Sequence, residues 1–250
     1  MDSLMAKKKV SHLWETVRTV LYAVAIAISI RIFAYEPFNI PSGSMIPTLL
    51  IGDYLFVSKF SYGYSRYSLP WGLPWIKGRI LASEPERGDV VVFKLPTDNK
   101  TDYIKRLVGL PGDNIQVVEG ILHINGEPVQ REKVREIKVP IQGTFFTQVT
   151  EYIETLPNGR KHRIWERGDE EMLDNTPVYT VPADQYFAMG DNRDSSQDSR
   201  VTSAVGFVPF ENLVGRAEFL FFSHDDSARL WEIWKWPFAI RYSRLGDGIE

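Results

Sequence analysis

"DYIKRLVGLPGDNIQVVEGILHINGEPVQ" (residues 102–130) decides the fold class. Short β-branched and aromatic runs alternate there with Gly, Pro, Asp and Asn, the pattern of strands joined by tight turns. Pro111-Gly112-Asp113 reads as one turn. Asn125-Gly126 reads as a hairpin turn, since both residues tolerate the positive φ that such a turn demands. Strand alternation puts Tyr103, Lys105 and Leu107 on one face, and Ile104, Arg106 and Val108 on the other.

Working outward, "GDYLFVSKF" (52–60) and "RGDVVVFKLP" (87–96) have the same character. No helical period stands out between Pro41 and Gly215. The expected fold is mainly β, a twisted antiparallel sheet or barrel-like core built from residues 36–120 and 177–250. Between these parts the composition becomes charged, as in "REKVREIKV" and "RKHRIWERGDEEMLDN". Residues 121–176 are therefore read as a β-rich insertion or second subdomain. "VYTVPADQYFAMGDN" returns to the core. Near the C-terminus, Leu230, Trp231 and Trp234 share a helical face before Pro237.

The N-terminal segment is of another kind. Lys7, Lys8 and Lys9 precede an apolar run whose uninterrupted part, 19–30, is too short to cross a ~30 Å hydrocarbon core. Extended to 14–35 it is long enough, with Arg18 and Arg31 near its ends, where their heads reach the interface. Trp14 and Tyr35 suit interfacial anchors. A cleaved leader would need small residues where Arg31, Ile32 and Phe33 stand. A buried soluble helix would be striped rather than apolar all round. The segment is read as one transmembrane anchor after a cytoplasmic N-terminus (1–13), with the basic cluster inside and the rest of the chain outside.

Composition narrows the chemistry. The 250 residues are enough for a sizeable core. The absence of cysteine excludes disulfides, thiolate nucleophiles and Cys-ligated zinc. The 4 histidines lack metal-site spacing, so no metal or cofactor is expected. A net charge of -3 gives no footprint for nucleic acid. The Trp residues in "LPWGLPW" (Trp71, Trp75) and in the tail (Trp231, Trp234, Trp236) either cap the core or meet a bilayer interface.

Three stretches carry candidate chemistry: "PSGSM" (41–45), "DYIKRLVGLPGD" (102–113) and "MGDNRDSSQDSR" (189–200). Lys105 is either a solvated strand residue or a desolvated amine. In the second case burial lowers its pKa and lets it serve as a base for a serine hydroxyl. The third stretch is either a solvated turn-rich loop or a lattice of ion pairs among Asp191, Arg193, Asp194, Asp198 and Arg200.

Taken together and in order, these motifs resemble bacterial type I signal peptidase, a membrane-bound Ser-Lys endopeptidase that removes signal peptides from exported preproteins. The resemblance implies Ser44 as nucleophile and Lys105 as general base. It implies an oxyanion hole made by the Ser42 hydroxyl and the Ser44 N–H. Ser196 would orient the lysine, and Asp198 and Arg200 would form a supporting ion pair. It also implies cleavage after small residues of the Ala-x-Ala type. Phe38, Ile40 and Ile46, close to Ser44 in sequence, are candidates for the substrate pockets. The expected partners are preproteins, membrane lipids and nearby export machinery, at the cytoplasmic membrane with the catalytic part on the outer side. Two rivals remain. A Ser-His-Asp hydrolase around His224 and Asp225 lacks a G-x-S-x-G elbow. An inactive tethered binding module of the same fold would have no use for both Ser44 and Lys105.

Overall fold

A computed structural model describes residues 2–68, 78–142, 145–225, 227–229 and 231–249. The helix Asp2–Phe33 leads the chain, and its portion Trp14–Phe33 is long and apolar enough to cross a membrane. Apolar side chains such as Leu21, Val24, Ile26 and Ile28 are exposed around it, so it finds no cover in the protein. The helix stops at Phe33, and Tyr35 already pairs with Ser58 in a sheet.

That sheet has seven strands in the order Tyr35–Asn39, Asp53–Ser58, Leu213–Ser223, Val90–Lys94, Asp102–Gly109, Gln185–Met189 and Val208–Pro209. Every neighbouring pair is antiparallel. Val90, Val91, Val92 and Phe93 are all buried, an unbroken apolar run of the kind found where both faces of a strand are covered. One face packs Ile40, Met45, Leu49, Leu55 and Val57. Register shifts along Leu213–Ser223 bend that strand, which pairs with Asp53–Ser58 on one side and Val90–Lys94 on the other.

The charged middle of the chain forms its own three-stranded antiparallel sheet, Gln130–Gln142, Phe145–Thr155 and Lys161–Glu166. A four-stranded sheet joins Asn114–Val118 and Ile121–Ile124 to Glu127–Pro128 and Tyr179–Thr180, so it draws on residues either side of position 120. Asn125 and Gly126 both take positive φ in the turn after Ile124. The C-terminal helix differs from expectation. It runs Trp236–Ala239 and contains Pro237 in its first turn, where the missing N–H costs nothing. Leu230, Trp71 and Trp75 lie outside the described residues.

Candidate active site

The serine turn is shaped by its apolar residues. Met45 and Leu49 are fully buried in the core, and the Leu49 N–H donates to the Met45 carbonyl at 2.9 Å. Their burial leaves Ser44 at the floor of a groove and Ser42 exposed at its rim. The other side of the turn is held by Asn192. Its side-chain amide donates to the Gly43 carbonyl at 2.9 Å, and its N–H donates to the Ser44 carbonyl at 3.1 Å. Thr48 donates to Asp191 at 2.5 Å.

Lys105 comes from strand Asp102–Gly109, where it pairs with Val91. Its Nζ donates to Ser44 Oγ at 2.7 Å and to the Ile104 carbonyl at 2.9 Å. The residue is only 3% exposed. Among the described residues no carboxylate stands within ion-pair range of it. Burial therefore lowers its pKa to about 8, with Asp198 and Asp191 pulling it partly back up. The reading of Lys105 as a solvated strand residue does not hold.

The 189–200 stretch packs behind this pair. Arg200 grips Asp198 through Nε and Nη2, each at 2.9 Å, and the Gly190 N–H donates to the same carboxylate at 3.0 Å. Burial alone would raise the Asp198 pKa, but Arg200 outweighs it and the carboxyl is held below its usual range. Gly190 has no substitute here: a Cβ would lie 2.2 Å from Ser196 Oγ and 2.5 Å from the Ser44 carbonyl oxygen. Ser196 is buried, and its hydroxyl makes no hydrogen bond to Lys105; it stands close to the Asp198 carboxylate and helps hold that group in its charged form.

Of the lattice expected among Asp191, Arg193, Asp194, Asp198 and Arg200, only Asp198–Arg200 is an ion pair within the stretch among the described residues; Asp191 and Arg193 take their partners from elsewhere. Asp191 is held by Arg106 through Nε at 2.9 Å and Nη2 at 2.8 Å. Arg193 reaches Glu154 of the three-stranded sheet, at 2.9 Å and 2.5 Å. The Trp165 N–H from the same sheet donates to the Asp191 carbonyl at 2.9 Å. The three-stranded sheet thus buttresses the loop that clamps Ser44. Asn192, Arg106 and Glu154 were not among the expected site residues. Their partners are far away in sequence, and no local pattern marks them.

The groove has a volume of ≈ 620 Å³. Phe38, Ile40, Val92, Ile104 and Gln197 line it around Ser44 and Lys105. Ile46 is not among its lining residues and lies against Gly43 instead. His224 packs against the rings of Tyr54, Phe222 and Trp236, outside the groove.

The family model for signal peptidase, peptidase S26, matches residues 13–222. Signal peptidase I of Rickettsia conorii is 45% identical over 214 residues, covering 81% of this chain and 77% of that protein. Its counterpart from Rickettsia canadensis is 46% identical over the same shares. A crystal structure of a signal peptidase I from Enterococcus faecalis is 26% identical, covers 54% of this chain and 97% of its own, and aligns with a TM-score of 0.31. The sequence matches make the chain a peptide hydrolase of the serine class. It belongs to the signal peptidase family, peptidase S26, a membrane-associated family that removes signal peptides.

Proposed function

We propose that Ser44 and Lys105 form a catalytic dyad that cuts signal peptides from exported preproteins after small residues at an Ala-x-Ala type site. The observation that carries this reading is the 2.7 Å contact between a hydroxyl and a buried amine with a lowered pKa. In its neutral form the amine accepts the Ser44 proton as Oγ attacks the scissile carbonyl carbon. The negative charge that develops on the carbonyl oxygen is met by the Ser44 N–H and the Ser42 hydroxyl. Collapse breaks the C–N bond, and the Lys105 ammonium returns its proton to the leaving amine. A water then attacks the acyl-Ser44 carbon, loses a proton to Lys105 and releases the carboxylate as Ser44 is reprotonated. Turning the Ser196 hydroxyl from the Asp198 carboxylate toward the amine would orient Lys105, and Asp198 with Arg200 keeps the loop behind it rigid.

Phe38 and Ile40 supply apolar walls suited to small side chains. We assign residues 14–35 to a single-pass anchor, 36–120 and 177–250 to the catalytic core, and 121–176 to an insertion. The N-terminus would be cytoplasmic and the groove extracytoplasmic, beside the export machinery that delivers preproteins. Lipid contact is supported by exposed aromatics such as Phe60, Trp231, Trp234 and Phe238. The test is cleavage of a preprotein by wild type and by Ser44→Ala in parallel. Equal cleavage by both would remove Ser44 from the mechanism.

A further inference from the structure

The apolar helix does not hang from the sheet by a linker. Only Ala34 separates helix Asp2–Phe33 from strand Tyr35–Asn39. The Ala34 N–H still donates into the helix, to the Ile30 carbonyl at 2.7 Å, while its own carbonyl accepts from the Lys59 N–H at 2.9 Å. The same residue therefore belongs to both elements. Two side-chain ties reinforce it. The Tyr64 hydroxyl donates to the Phe33 carbonyl at 2.5 Å, and the two rings meet edge-on at 6.3 Å. Lys59, with its side chain 3% exposed, pairs with Glu36 at 2.8 Å. A buried ammonium paired once is hard to release, because separation strands a charge away from water. Tyr35 then wedges against Phe56, Phe60 and Phe219.

Strand Tyr35–Asn39 continues into the groove, since Phe38, Asn39 and Ile40 line it. An extended chain rises ~3.3 Å per residue, so the groove lies at most about 17 Å beyond the helix end. An extended preprotein segment would need at most about five residues to cover that distance. We infer that this junction is a rigid strut that fixes the groove's distance from the end of the apolar helix, making Phe33, Glu36, Lys59 and Tyr64 positioning residues for choice of the scissile bond. The inference rests on the reading of the chain as a membrane-anchored preprotein peptidase.

The test uses the full chain in liposomes with a preprotein carrying two competing Ala-x-Ala sites, four and eight residues past its apolar segment. A short soluble peptide with one such site serves as the control. Gly-Gly-Ser inserted between Ala34 and Tyr35 should change the product ratio at the two sites at least tenfold, with peptide cleavage within about twofold of wild type. Tyr64→Phe and Glu36→Gln, which each remove one tie with little change of shape, should shift the ratio the same way by a smaller factor. They carry the test if the insertion abolishes peptide cleavage through misfolding. An unchanged ratio in variants that still cleave the peptide overturns the strut. Wild type that cleaves neither substrate in a Ser44-dependent way overturns the underlying peptidase reading instead.

Discussion

Lys105 and Arg106 are consecutive residues of one strand, and both are buried cations. Arg106 is met by a carboxylate at two points, at 2.9 Å and 2.8 Å. Lys105 is met by a hydroxyl at 2.7 Å and a carbonyl at 2.9 Å. The fold compensates one charge and leaves the next without a counter-ion in contact. A compensated guanidinium can only hold structure, since it does not deprotonate in a protein. An uncompensated ammonium is costly, and it lowers that cost by giving up its proton. The fall from 10.5 to about 8 corresponds to about 3 kcal/mol, at 1.36 kcal/mol for each tenfold change in proton affinity. The strand thus tolerates strain at the position proposed for chemistry and avoids it one residue later.

The largest effects should separate the two cations by activity and by stability. Lys105→Met and Lys105→Arg should each lose at least ~10⁴-fold in preprotein cleavage, the scale on which linked catalytic groups fail. Lys105→Met should not unfold the protein. Below pH 8 it removes a buried charge, so its melting temperature at pH 7 should match or exceed that of wild type. The Lys105 penalty is full below the folded value of about 8 and fades as pH rises toward the free value near 10.4. Any stability gain of the Met variant should therefore shrink over that interval. Arg106→Met should do the reverse. It leaves Asp191 buried without its counter-ion, and a loss of about 3–5 kcal/mol is expected in denaturant titration. A Lys105 variant as unstable as the Arg106 variant would erase the contrast.

Acid should act on the compensated side alone. Burial works against the Asp191 and Asp198 carboxylates, but Arg106 and Arg200 respectively outweigh it, so both are held below the usual carboxylate range. Their contribution is complete above about pH 4 and is lost as pH falls through their folded values. Circular dichroism during acid titration should show the loop and its buttressing sheet lost together. Arg106→Met, with Asp191 already unpaired, should unfold at higher pH than wild type.

A smaller effect belongs to the rim of the groove. Ser42→Ala should lower turnover by roughly 10²–10³, the usual result of removing one oxyanion donor. Substrate affinity and melting temperature should barely move, because Ser42 is exposed and supports no core contact. A variant within about threefold of wild type would take Ser42 out of that role.

What the sequence revealed divides along the same line. The Asn125-Gly126 turn, the strands around it and the apolar N-terminal helix were legible, because each is written in adjacent residues. Ser44 and Lys105 were legible as candidates through their motifs, and the burial of Lys105 was a conjecture. Its compensation pattern was hidden. Arg106 and Asp191 are 85 positions apart, and Arg193 and Glu154 are 39 apart. No local period can pair them, and for the same reason the burial of Glu151, Glu154 and Glu166 had no signature in the sequence. The tail helix was misplaced for a related reason. Apolar spacing favoured residues before Pro237, whereas proline is best accommodated inside the first turn.

The central claim is that Lys105 loses its proton near neutral pH because it is buried without a counter-ion. The most direct measurement is the pH dependence of kcat for preprotein cleavage, with Lys105→Arg alongside. The rate should rise through an apparent pKa of about 8 and then level off, and the Arg variant should be inactive at every pH. A rate that climbs without a plateau to about pH 10, as for an unperturbed amine, or an Arg variant that still cleaves, would contradict the account.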